Sequence, residues 1–198
     1  MKREIKMLDK KTYEKIVEKG TNAENMFLKY MESDGFSFIA GDINRETINP
    51  EYFEECFSNC RFIPSTEKRG ARLAFYNKKA KREVVFIMPD GLYLHNKKGI
   101  LSFFDVKSRR INNLKEKKYK LIEYFGVSKY TYINCYIAIV VYEPKSEGYN
   151  IYIDNVSKYV SEEDLERFEI TGWVDDEDIE FDISKMWKFN KKPIKADI

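Results

Sequence analysis

Asp90, Asp105 and Lys107 are the residues whose types and spacing could do chemistry in this 198-residue sequence. They lie within Val84 to Arg110, VVFIMPDGLYLHNKKGILSFFDVKSRR. There the polar, Gly-terminated Asn96-Lys97-Lys98-Gly99 separates two apolar runs and predicts a β-hairpin. Pairing His95 with Ile100 sets Leu94 opposite Leu101, Leu92 opposite Phe103 and Asp90 opposite Asp105. Side chains alternate along a strand, so Lys107 joins both carboxylates on one face.

Opposed residues in a sheet have Cβ atoms about 4.5–5.5 Å apart, and two carboxylates placed there repel by about 3 kcal/mol at an effective dielectric of about 20. A divalent cation held between them reverses that cost, and hard oxygen donors suit Mg²⁺ or Mn²⁺. A plainer reading stands beside this one. Pro89-Asp90-Gly91 is a good β-turn tripeptide, and Asp105 with Lys107 could form a surface ion pair at a strand end. The acid-x-Lys spacing recurs at Glu4/Lys6, Asp9/Lys11, Glu116/Lys118 and Glu143/Lys145. Only the Asp105 copy follows an apolar strand and has a Pro-Asp on the strand before it.

The elements that must position the hairpin follow from periodicity and punctuation. Asp9 to Lys19 reads as a charged helix that stops at Gly20. A second helix starts at the cap Thr21, with Glu24 as the acidic half of a capping box and Ala23, Met26, Phe27, Tyr30 and Met31 on one face. It ends near Gly35, and Phe36 to Ala40 make a short strand. Asn49-Pro50 begins a helical insertion, about residues 45–60, whose apolar face includes Cys56, Phe57 and Cys60. Arg61 to Gly70 reads as loop, Ala71 to Asn77 as a strand, and Arg82 to Leu94 as the first arm of the hairpin, giving a three-stranded meander. After Arg110, Asn112 or Asn113 caps a helix running to about Phe125, with Gly126 at its end. Tyr132 to Tyr142 is a strand covered on both faces, and Asn150 to Val156 an edge strand. Ser161 caps a short helix with an acidic first turn. Asp175 to Asp182 is a dense acidic run, and Trp187 and Phe189 return the tail to the body.

The fold class expected is mixed α/β, with a central sheet flanked by helices, residues 1–160 as the core domain and 161–198 as an acidic extension packed on or beside it. The net charge of +2 is uneven: residues 161–198 carry 12 acidic and six basic side chains, leaving 21 acidic and 29 basic in the first 160. A basic body permits a polyanion partner. Cys56, Cys60 and Cys135, with His95 as the single histidine, do not complete a zinc site and read as reduced, buried thiols of a cytoplasmic protein. The start of the chain has no apolar signal region, and Cys135 to Tyr142 is too short to span a bilayer, so no membrane partner is expected. No Gly-rich phosphate loop or helicase motif points to ATP-driven work.

The order of helix, three-strand meander, helix and strand, with Glu24, Pro89-Asp90 and Asp105-Val106-Lys107 on successive elements, resembles the PD-(D/E)XK nuclease superfamily, the fold of many restriction enzymes and Holliday-junction resolvases. The resemblance covers roughly residues 21–142. It implies that Asp90 and Asp105 bind Mg²⁺ or Mn²⁺ with the Val106 carbonyl, that Glu24 completes the metal shell through water, and that Lys107 orients or helps deprotonate the attacking water. The chain has Asp where many relatives have Glu before x-Lys. The implied partner is DNA, with RNA as an open alternative, and a homodimer is compatible. Lys68, Arg69, Arg72, Lys97, Lys98, Arg109, Arg110, Lys115 and Lys118 are the basic residues that could hold the backbone beside the scissile phosphate. The other reading is a catalytically inactive module on the same fold that binds nucleic acid or protein, and a third is an interaction protein working through the acidic tail.

Overall fold

The computed structural model describes residues 10–41, 57, 59–66, 70–110, 113–143, 148–174, 177–190, 192 and 194–195, with side chains from residue 22 to 194. Helix α1 (Lys10–Ser33) leads into β1 (Phe36–Gly41). Three strands follow, β2 (Cys60–Ile63), β3 (Arg72–Asn77) and β4 (Arg82–Ile87), and then the hairpin of β5 (Gly91–His95) and β6 (Ile100–Arg109). Next come β7 (Lys115–Lys117), α2 (Lys118–Thr131), β8 (Cys135–Glu143) and β9 (Gly148–Asn155). The chain closes with α3 (Glu162–Thr171), β10 (Asp178–Glu180), β11 (Trp187–Lys188) and β12 (Ile194–Lys195).

The protein is mixed α/β. Its main sheet has the order β1-β5-β6-β8-β9-β11, with β12 also on β9. Strand β6 runs parallel to β8, and the remaining pairs are antiparallel. Helix α1 packs one face of this sheet through Ala23, Phe27 and Met31, against Tyr93, Phe104, Val106, Ala138 and Val140. The other face carries Leu92, Phe103, Cys135, Ile137 and Ile139 beneath α2, α3 and the small sheet β2-β3-β4. Fully burying a Phe such as Phe27 is worth about 2–3 kcal/mol, so the two apolar layers supply the main driving force. Residues beyond 160 share this core through Leu165, Val174, Phe181 and Met186.

The hairpin register agrees with the sequence: His95 faces Ile100, Leu94 faces Leu101, and Leu92 faces Phe103. Other expectations are corrected. Helix α1 runs unbroken through Gly20 and Thr21, so Glu24 lies in mid-helix, where no unpaired N–H groups call for a capping box. A glycine inside a helix costs only about 1 kcal/mol relative to alanine, which the apolar face of α1 outweighs. Helix α2 likewise contains Gly126 instead of ending there, and ends at Tyr132 in the left-handed region (φ 60°). Asn113 precedes β7, not the helix, while Asn112 lies outside the described residues. The predicted insertion helix also lies largely outside them, but Cys60 opens β2 and Arg61–Ile63 pair with β3 in place of a loop. Strand β9 is interior, because β11 and β12 cover its free edge.

The meander differs most. The hairpin arm predicted from Arg82 to Leu94 is two strands in two sheets, and the first strand of the meander is β1, which pairs β5 antiparallel. The chain crosses between sheets at Met88-Pro89-Asp90. Pro89 has no N–H to give a ladder, and the Met88 N–H is the last held by the small sheet, donating to the Ala71 carbonyl at 2.9 Å. A Cβ at Gly41 would collide with the Asp90 carbonyl oxygen, so glycine there lets β1 close against this crossover.

Candidate metal centre

Asp90 sits at the exit of the crossover, one residue before β5, and Asp105 lies in β6 one residue past the last paired rung, Gly91 with Phe104. The backbone ladder has ended there, and the Asp90 side chain continues it: Val106 N–H donates to Asp90 Oδ2 at 2.6 Å. A strand residue directs its N–H and C=O to the same edge, so the Val106 carbonyl also faces the side on which Asp90 stands. Beyond the carboxylates on β6, Lys107 places Nζ 2.7 Å from Asp105 Oδ2, with Asp105 only 1% exposed. On α2, Tyr124 is buried, and burial first, then the charges of Asp105 and Asp90, push its hydroxyl well above the ordinary tyrosine range. Glu24, on α1, adds its charge to the field at Asp90.

The electrostatics are those of a crowded acidic centre in a dry place. Burial first, then the charges of Asp105 and Glu24, push the Asp90 carboxyl up to about 8, against the opposing pull of Lys107 and of the Val106 N–H. Burial alone would lower the pKa of Lys107, but Asp105 and Asp90 outweigh it and hold the ammonium above the ordinary lysine range. Cys135, on the neighbouring strand β8, is raised by burial and then by the same two carboxylates. Among the described residues no three His, Cys, Asp or Glu side chains converge as a ready-made cage. The donor set that does fit a small hard cation is two carboxylates and one carbonyl, which leaves positions for water and phosphate oxygens.

No protein-family model matches the chain, and comparison with curated proteins finds no match.

The basic residues divide sharply. Arg109 is bound into the fold, donating to Glu116 Oε2 at 2.8 Å and to the carbonyls of Lys115 and Ser108. Lys115 pairs with Glu180, Lys117 with Asp178 at 2.8 Å, and Lys118 with Asp164 at 3.1 Å and Glu177 at 3.3 Å. The acidic strand β10, paired with β7, thus already occupies Lys115 and Lys117. Lys97 and Lys98 are exposed at the hairpin tip, roughly 17 Å along the strands from Asp90 and away from the carboxylates. Arg72 stands near the crossover, paired in β3 with Ile87, and Arg110 is exposed just past β6. Lys68 and Arg69 lie outside the described residues.

Two residues at the centre escaped the sequence reading. Glu116 is 6% exposed and sits among Arg109, Lys120 and Lys107. Burial raises its carboxyl, but Lys120, Lys107, the Lys117 N–H and Arg109 together bring it below the usual range. Tyr124 is the other. The step of four from Lys120 to Tyr124 is the signal that sets those two on one side of α2, while Glu116, in β7 just before the helix, meets Lys120 at 3.4 Å.

Proposed function

We propose that this protein is a divalent-metal-dependent nuclease that hydrolyses phosphodiester bonds of DNA, with Asp90 and Asp105 as metal ligands. One observation carries the reading: a half-buried Asp90 held by the Val106 N–H against the buried Asp105, at a cost in its own ionisation that a bound cation would remove. The succession α1, β1, β5, β6, α2, β8, with β6 and β8 parallel, supports the likeness to the PD-(D/E)XK core. A cation at Asp90, Asp105 and the Val106 carbonyl would lower the pKa of a bound water and stabilise charge developing on the phosphate.

The residues of this chain would divide the remaining work. Asp90 and Asp105 orient the site from two sheet elements fixed by the hairpin register. Lys107 is protonated while it faces two carboxylates, so it begins as a donor. When the charge of those carboxylates is neutralised, its ammonium is freed from Asp105 to hold the attacking water or a phosphate oxygen. Glu24 faces the same centre from α1 and suits a water-mediated contact. The ion pairs on Lys115, Lys117 and Lys118 weigh against the binding-only alternative, since they remove much of the basic face it needs.

Incubation of the purified protein with supercoiled, linear and branched DNA tests the proposal. Wild type is expected to cleave at least one form with Mg²⁺ or Mn²⁺, and chelator or Asp105→Ala is expected to abolish cleavage. Cleavage that ignores both would overturn it, as would none by wild type.

A further inference from the structure

Strand β5 opens on a glycine, and the side chain that glycine makes room for is Tyr93. A Cβ at Gly91 would stand 2.7 Å from Cε2 of Tyr93 and 3.2 Å from its Cζ, the ring carbon that carries the hydroxyl. A glycine inside a strand marks such a close approach. The Tyr93 ring therefore lies back along β5 over Gly91, and its hydroxyl stands at the end of the strand that Asp90 precedes. Phe27 of α1 meets this ring edge-on at 5.7 Å between centroids, Phe104 of β6 at 5.6 Å and Phe38 of β1 at 5.4 Å. With rings on three sides, its direction is fixed.

Tyr93 is fully buried, and its hydroxyl has no hydrogen-bond partner among the described residues. Phenylalanine would serve the same ring packing, and a buried hydroxyl left unpaired costs free energy. The oxygen thus calls for a partner beyond the rings around it. Helix α1 carries a group toward it. Tyr30 and Phe36 both pack on Phe189, at the end of β1 that faces His95. One turn earlier on α1, Phe27 packs on Tyr93 and Phe104. Glu24, a further turn back on the same face, is carried toward Asp90. Burial first, then the charges of Asp90, Glu24 and Glu32, hold the Tyr93 hydroxyl above the ordinary tyrosine range, so it keeps its proton and can donate.

We infer that Tyr93 is a positioning residue for the metal centre: its hydroxyl donates to the water through which Glu24 reaches the cation. This rests on the metal reading above and adds to it a residue that touches neither the cation nor the substrate. Groups that hold the outer shell of a metal commonly change affinity about 10–100-fold when removed.

Calorimetric titration of the full chain with Mn²⁺ alone tests it, using wild type, Tyr93→Phe, Glu24→Gln and the double variant, with thermal melts of each in chelator. Tyr93→Phe and Glu24→Gln are each expected to bind Mn²⁺ about tenfold more weakly than wild type, and the double variant within about twofold of the weaker single, because both groups hold one water. In chelator, Tyr93→Phe is expected to melt at or above wild type, since it keeps the ring and loses only an unpaired oxygen. Equal Mn²⁺ affinity in wild type and Tyr93→Phe overturns the inference and leaves the metal reading standing. Losses that multiply in the double variant overturn it too, as does a metal-free Tyr93→Phe that melts well below wild type, whose hydroxyl would then already be serving the fold. A wild type that binds no Mn²⁺ overturns both.

Discussion

Asp90 Oδ2 lies 2.6 Å from the backbone nitrogen of Val106, the residue between Asp105 and Lys107. A side chain thus takes the place of the next backbone rung, and it carries a carboxylate into a buried corner that already holds another. Such a contact binds Asp90 firmly while leaving its charge in an unfavourable place.

The first consequence is a dependence of stability on pH in metal-free protein. The folded-state pKa of Asp90, about 8, lies above the ordinary 3.8, so the folded state binds more protons than the unfolded one between those values. Stability should fall as pH rises from about 4 through 8. Asp90→Asn keeps an oxygen for the Val106 N–H, and in chelator above pH 8 it should stabilise the protein by about 1–3 kcal/mol. Thermal melts of both proteins across this range check the slope; a wild-type curve as flat as that of the variant would contradict it.

Lys107→Ala should separate binding from chemistry. Removal of the ammonium leaves both carboxylates to attract a cation, so Mn²⁺ binding measured by calorimetry should persist or tighten. Cleavage should fall by about 10²–10³, the usual effect of losing one charge-stabilising donor. In chelator the same variant should be less stable than wild type, because Asp105 keeps its burial and loses its counter-ion.

The lysines of β7 and α2 should contribute little to DNA affinity. Lys118→Ala loses contacts with Asp164 and Glu177, so its main effect should be a stability loss of up to about 1 kcal/mol. Arg110→Ala should instead weaken DNA binding and lower the salt-dependence slope by about 1. Fluorescence anisotropy over a salt series, with non-cleaved DNA, distinguishes the two.

Glu123 gives a second pH signature, away from the carboxylate pair. Its folded-state pKa of about 7 stands above the ordinary 4.5, so its contribution to stability declines as pH rises from about 4.5 through 7. Lys120 on its own helix, Arg72 on β3 and the Ile87 N–H on β4 are the groups facing it. Glu123→Gln should remove about 1–3 kcal/mol of this decline, as read from denaturant melts at pH 5 and pH 8.

What the sequence disclosed was local. The hairpin register followed from Asn96-Lys97-Lys98-Gly99 and the apolar runs beside it, because strand pairing across a short turn depends on neighbours in the chain. Gly20 and Gly126 were misleading, since a glycine that ends a helix and one that lets a helix meet Phe86 look alike until the partner is known. The crossover at Pro89 was hidden inside an apolar run from Val84 that could continue as one strand. The lysines of β7 and α2 look free in sequence because their partners, from Asp164 to Glu180, arrive some 45–65 residues later.

The claim that Asp90 and Asp105 share a divalent cation is tested most directly by anomalous scattering from crystals soaked in Mn²⁺. The account predicts a manganese peak between the two carboxylates and beside the Val106 carbonyl, at about 2.0–2.3 Å from the oxygens, and its loss in Asp105→Ala. Wild-type crystals that take up Mn²⁺ elsewhere, with none between Asp90 and Asp105, would contradict it.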